Sequence, residues 1–123
     1  MEVILLDTNI LIQILKGDNK TVKTVEDIDD HIAISSISAM ELYFGAFDKN
    51  ETKKIEKFLS LFEVLHIDKE VSIKATKLIK QYAKSHSLDI PDSLIASCAI
   101  TNKCTLLTYN LKDFRYIEAL ELY

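Results

Sequence analysis

Four acidic side chains and one amide in this 123-residue chain stand where apolar runs give way to helical patterns. Asp7 follows the apolar run of Leu5-Leu6-Asp7-Thr8-Asn9, and Glu41 lies in Ser38-Ala39-Met40-Glu41-Leu42. Asp92 opens Asp92-Ser93-Leu94-Ile95-Ala96-Ser97, while Asn110 and Asp113 fall in Thr108-Tyr109-Asn110-Leu111-Lys112-Asp113-Phe114. Carboxylates packed together without a counter-cation repel one another and take up protons. A hard divalent cation such as Mg2+ or Mn2+ relieves the repulsion and prefers oxygen ligands. Held by a few carboxylates, it keeps open positions for a substrate phosphate and can activate water for phosphodiester hydrolysis. No Gly-rich phosphate loop accompanies these residues, since the chain has only 2 glycines. The residue types therefore point to cation-assisted phosphoryl chemistry.

Each acid also has a simpler use. Asp7, Thr8 or Asn9 can cap the helix that follows. Ser38-x-x-Glu41 has the form of a capping box, with Glu41 returning to the backbone of Ser38. Asp89-x-x-Asp92 has a similar form, with Asp89 as cap and Asp92 stabilised by the helix dipole. Asp113 alone reads as a solvated loop residue. Capping accounts for any one of these acids; it does not account for all of them falling at one end of the predicted sheet.

The elements that position them follow from the apolar patterning. Val3 to Leu6 is an uninterrupted apolar run of the kind buried on both faces of a parallel sheet. Residues 32–34 and 105–108 are similar, and 62–67 and 117–122 are further strand candidates. Ile10, Leu11, Ile14 and Leu15 have the spacing of an apolar helix face, and helices are predicted over 37–47, 52–61, 71–84 and 92–101. The alternation predicts a three-layer α/β/α fold around a central parallel sheet. In such sheets ligands bind beyond the carboxyl ends of the strands, where all the acids would emerge. Tyr43, Phe44 and Phe47 read first as core rings, with a dimer face or a partner groove as the other use. His31, His66 and His86 read as structural or surface residues, and Lys49, Lys53, Lys54 and Lys57 as a solvated helix face.

Composition bounds these readings. Apolar residues make up 48% and charged residues 28%, so the chain is globular, and its length suits one domain spanning 1–123. No apolar run is long enough to cross a membrane and no basic leader precedes the first run, which leads to the expectation of a cytoplasmic protein. Cys98 and Cys104 lie in apolar surroundings and read as reduced core residues. The net charge of -4 opposes binding of nucleic acid by phosphate neutralisation alone, but not through bound cations.

Taken together, Leu5-Leu6-Asp7-Thr8-Asn9-Ile10-Leu11, the Ser-x-x-Glu41 segment, Asp92-Ser-Leu-Ile-Ala-Ser-Cys-Ala and Leu107-Thr108-Tyr109-Asn110-x-x-Asp113-Phe114 resemble PIN domains. The resemblance is strongest to the compact VapC-type ribonuclease toxins of toxin–antitoxin pairs, and it covers nearly the whole chain. It implies a Mg2+- or Mn2+-dependent endoribonuclease acting on RNA, commonly a homodimer, restrained by a cognate antitoxin. Carried onto this chain, the principal acids are Asp7, Glu41 and Asp92, with Asp113 as the later acid. Asn110 takes a position that is acidic in some members, which bears on whether a second cation binds. Thr8, Asn9 and Thr108 are expected to orient the acids or water. Lys112 and Arg115 flank the acidic loop and are the expected RNA contacts.

Three other readings compete with a nuclease. A non-catalytic PIN-like module that binds RNA or protein is permitted by Asn110 but opposed by the intact Asp7, Glu41 and Asp92. A phosphoacceptor receiver domain needs an acidic pair after the first strand, which Asp7-Thr8-Asn9 lacks. A haloacid-dehalogenase-type phosphatase needs Asp-x-Asp there, and Asn9 fails that requirement.

Overall fold

In the computed structural model, which describes residues 2–123, the first apolar run forms β1 (Val3–Leu6). Met1, the first residue of the expected 1–123 domain, lies outside the described residues. The chain continues through α1 (Thr8–Leu15), α2 (Asn19–Glu26), β2 (His31–Ser35), α3 (Ser36–Phe44), α4 (Lys49–Leu59) and β3 (Glu63–Leu65). It closes with α5 (Lys69–His86), α6 (Ile90–Thr101), β4 (Thr105–Leu107), α7 (Leu111–Phe114) and β5 (Glu121–Leu122). The strands form one sheet in the order β3-β2-β1-β4-β5, and every pairing is parallel.

Alternation along the strands divides the core in two. Leu5, Ala33 and Leu106 face one cluster, filled by Val71, Leu78 and Tyr82 of α5 and Ile95, Ala96 and Ala99 of α6. Ile4, Leu6, Ile34 and Leu107 face the other, filled by Ile10 and Leu11 of α1, Leu42 of α3, and Ile55 and Leu59 of α4. A sheet apolar on both faces must be covered on both, and the expected three-layer α/β/α arrangement results.

The helices begin on side chains that accept the first free amides. Asp7, Asp18, Ser35, Asp48, Asp68 and Asp89 each cap the helix that follows them. The capping box at Ser38 and Glu41 is therefore incorrect: Ser35 accepts from Ile37 N at 3.2 Å, and the helix starts before Ser38. Ser38 is buried inside α3 and the Glu41 carboxylate is left free of any capping duty. Asp89 does cap as expected, accepting from Asp92 N at 2.9 Å.

Other differences are of extent. Strand pairing covers only Glu63–Leu65 and Glu121–Leu122 of the longer runs expected there, so His66 follows β3 rather than lying within it. Helix α2 has few apolar residues and escaped the periodicity test; Asp18 holds its start and Thr21 buries beneath it. Tyr43, Phe44 and Phe47 are not core rings. Phe44 and Phe47 are 95% and 89% exposed, because α3 buries Ser38 and Leu42 on its opposite side.

Candidate active site

In this strand order, chain connections leave β1 toward β2 on one side, while β4 lies on its other side. Crevices at such reversals are where open α/β sheets bind ligands. Asp7 and Thr108 stand in that crevice, one directly after β1 and the other directly after β4. Asp7 is 4% exposed and both its oxygens are engaged. Oδ1 accepts from Thr8 N at 2.8 Å and Oδ2 accepts from the Thr108 hydroxyl at 2.7 Å. Thr108 Oγ1 in turn accepts from Asn9 Nδ2 at 3.3 Å and from Asn110 N at 2.9 Å, and Asn9 Oδ1 accepts from Tyr109 N at 3.2 Å. The three residues expected to orient the acids thus include two, Asn9 and Thr108, that lock the turn after β4 against Asp7.

The third, Thr8, serves Glu41. Its hydroxyl donates to Glu41 Oε1 at 2.7 Å and lies 2.8 Å from Ser38 Oγ. A hydroxyl carries one proton, so with Thr8 donating to Glu41 the Ser38 hydroxyl donates to Thr8. The order Ser38 to Thr8 to Glu41 links α3 to the start of α1 and holds an exposed carboxylate in one orientation. Ser38 is the residue whose role the capping pattern concealed.

Asp92 lies in the first turn of α6 and Asp113 in α7, both facing the same region. Burial is the main cause that raises Asp7 above the usual carboxylate range. The bonds from Thr108 and Thr8 oppose the rise, and repulsion from Glu41 and Asp113 adds to it. Asp92 is pushed up to about 7, by burial first and then by Asp89, Asp7, Asp113 and Glu41. The four expected acids therefore share one electrostatic neighbourhood, and Asp89 joins it. They do not form a closed cage: among the described residues no three His, Cys, Asp or Glu side chains are grouped as a ready-made cation site. The exposed Asn110 contributes its backbone amide to Thr108 and makes no side-chain capping bond.

The donor chemistry suits a hard divalent cation. Every acid offers oxygen, and the repulsion that adds to the effect of burial at Asp7 and Asp92 is one that a cation would offset. Lys112 and Arg115 lie exposed around α7, and the ion pairs among the described residues are Lys23–Asp27 and His31–Glu63, so neither basic residue is tied to an acid.

Two features around the site were not legible in the sequence. Tyr109 OH donates to Thr21 Oγ1, which donates to Asp18 Oδ2 at 2.6 Å, tying α2 to the turn after β4. The Asp18-x-x-Thr21 spacing was the available signal. A groove of about 510 Å3 also runs from Glu41 between α1, α3 and α4, lined by Ile12, Leu15, Leu42 and Ile55 with Lys16, Glu51 and Lys54.

A sequence profile described as the PIN domain matches residues 4–120. The chain belongs to the PIN domain family. This PIN-family chain is 33% identical over 116 residues to the protein named ribonuclease VapC1 of Methanocaldococcus jannaschii, covering 94% of this chain and 81% of that one. Its fold superposes with a TM-score of 0.85 on a chain of VapBC2 from Rickettsia felis, solved bound to a DNA fragment from its promoter. The two are 31% identical, and 98% and 97% of the chains are covered. DNA-bound VapBC from Salmonella typhimurium gives 0.84 at 26% identity, covering 100% and 98%. In this PIN-family chain no helix among the described residues is long and apolar enough to cross a membrane.

Proposed function

We propose that this chain is a divalent-cation-dependent endoribonuclease, the toxin of a type II toxin–antitoxin pair. One observation carries the reading: Asp7 and Asp92 are both raised, by burial first and then by the charges of Glu41 and Asp113, so acids from separate elements lie within electrostatic reach of one another beside the reversal of strand order. Asp7, Glu41 and Asp92 would hold Mg2+ or Mn2+, with Asp113 and the Asn110 amide contributing to that site or to a weaker second one. When bound, the cation supplies positive charge for the phosphodiester and lowers the pKa of water.

The chain's own residues prepare that chemistry. Thr108 and Thr8 fix the carboxylates of Asp7 and Glu41 before any ligand arrives. A bound cation would favour the ionised forms of Asp7 and Asp92, whose carboxyls are raised above the usual range, by burial first. Lys112 and Arg115 attract the RNA backbone beside the acids. The groove beside Glu41 offers an antitoxin segment an apolar seat within reach of the same acids. That the relatives are ribonucleases and toxin–antitoxin complexes supports both halves of the reading.

A non-catalytic RNA- or protein-binding module is the second reading, permitted by Asn110, which offers an amide and no charge beside the acids. Cleavage mapping on total RNA separates the two. The nuclease cuts with Mg2+ or Mn2+, stops in EDTA, and is lost in Asp7→Asn and Asp92→Asn. Binding without cutting, or equal cutting in EDTA, overturns the proposal.

A further inference from the structure

We propose that the stacked rings of His86 and Tyr116, resting on Tyr82, are a platform on which an unpaired base of single-stranded RNA stacks beside the acidic site. The ring centroids of His86 and Tyr116 are 4.1 Å apart and the planes differ by 18°. Tyr82, buried in the core, lies 5.0 Å from Tyr116 at 56° and meets His86 edge-on at 5.7 Å and 75°. Ser85 Oγ lies 2.7 Å from His86 Nδ1 and fixes the turn of the imidazole.

Burial explains Tyr82, but it does not explain His86. The imidazole is exposed, yet it is held by a hydroxyl on one side and a phenol ring beneath. Such a ring has already lost its rotamer freedom and offers a flat surface at low entropic cost. Its place in the fold is also particular. Ser87 takes a left-handed conformation (φ 57°) that ends α5 and turns the chain into the segment containing Asp89 and Asp92. Tyr116 follows α7, one residue after Arg115. Tyr116 stands three residues after Asp113 of α7, and His86 three residues before Asp89, which caps the turn of α6 that carries Asp92, so the chain itself sets the platform beside the segments that bear the acids. A flat ring, an exposed arginine one residue along the chain and the proposed phosphoryl site match the pattern by which single strands are held: bases on aromatic faces, phosphates on positive charge.

The inference rests on the nuclease reading, and the test keeps the two apart. Fluorescence anisotropy would measure binding of labelled 2′-O-methyl octa-adenylate, and of an abasic octamer of the same backbone, in millimolar Mg2+. His86→Ala is expected to weaken binding of octa-adenylate about 5- to 100-fold and leave the abasic octamer unchanged. His86→Phe, which keeps a ring, is expected to stay within about twofold of the parent. Because His86 is exposed, the thermal midpoint of each variant should match the parent and exclude misfolding. Equal affinity of His86→Ala and parent for octa-adenylate, an equal loss on both octamers, or no base-dependent binding by the parent overturns the platform. A parent that binds in this base-dependent way yet cuts no RNA with Mg2+ or Mn2+ supports the platform and overturns the nuclease reading.

Discussion

Asp7 uses Oδ1 to accept the amide of Thr8 at the start of α1, while Oδ2 accepts the hydroxyl of Thr108 across the sheet. Capping and site-building, set against each other in the sequence, are performed by one carboxylate. Asp92 bears the clearer electrostatic consequence. Its pKa in the fold is raised from 3.8 to about 7, so between those values the folded chain holds a proton that the unfolded chain has released. Stability contributed by that proton is present at low pH and is lost as pH rises toward the folded value. In EDTA the thermal midpoint should fall as pH is raised from about 5 to about 8. Millimolar Mg2+ should restore more of it at the higher pH, where the carboxylates are ionised. Differential scanning fluorimetry checks both; a midpoint that climbs steadily over that range in EDTA contradicts the assignment. The buried thiols belong to the same scale: burial raises Cys98 and pushes Cys104 up to about 11, which suits two reduced core residues.

Among the elements, the strands and most helices were legible because their signals are local. Val3–Leu6 is apolar without a break, and Asp89 stands one residue before the helix it caps, whereas the caps at Asp48 and Asp68 start α4 and α5 before the predicted 52 and 71. The start of α3 was misread because Ser35 and Ser38 are both competent caps, and only burial of Ser38 against Thr8 decides between them. The two glycines make opposite predictions. Gly17 sits between α1 and α2 with φ +77°, where any side chain is strained. Gly45 ends α3 with φ -82°, and an added Cβ would meet Glu41 O at an ordinary 3.5 Å. Gly17→Ala should destabilise the protein by about 1–2 kcal/mol. Gly45→Ala should stabilise it by about 0.4–1 kcal/mol through the unfolded chain. Urea denaturation of both variants checks the pair, and a loss of stability in Gly45→Ala would show that the α3 terminus is misjudged.

At the scale of the whole molecule, the proposed nuclease has a net charge of -4 and a polyanionic substrate, so the distribution of charge matters more than the sum. Part of the acidity is gathered at the strand reversal, where a cation would invert the local sign. Lys112 and Arg115 stand beside it without carboxylate partners among the described residues. Reversing both to glutamate should lower kcat/KM on RNA about tenfold and make its loss with salt shallower, since fewer phosphate contacts remain to be screened. The rise in thermal midpoint on adding Mg2+ should survive. An unchanged kcat/KM removes these residues from the RNA path. The exposed Phe44 and Phe47 leave apolar surface at the end of α3, the helix that carries Glu41, and on the segment after it.

The sequence by itself determined the alternation of most strands and helices, the burial of β1 on both faces, the caps at Asp7 and Asp89, and the candidate acids. These are read within a few residues, because side-chain period and first-turn capping are local properties of the backbone. Only the tertiary structure decided that Thr108 serves Asp7 across 101 residues, that Ser38 serves Glu41 through Thr8, and that His86 lies flat on Tyr116. Those partnerships depend on which strands are neighbours and how far each helix is rotated. Strand order is set by packing of the whole chain, and nothing in a local pattern specifies it.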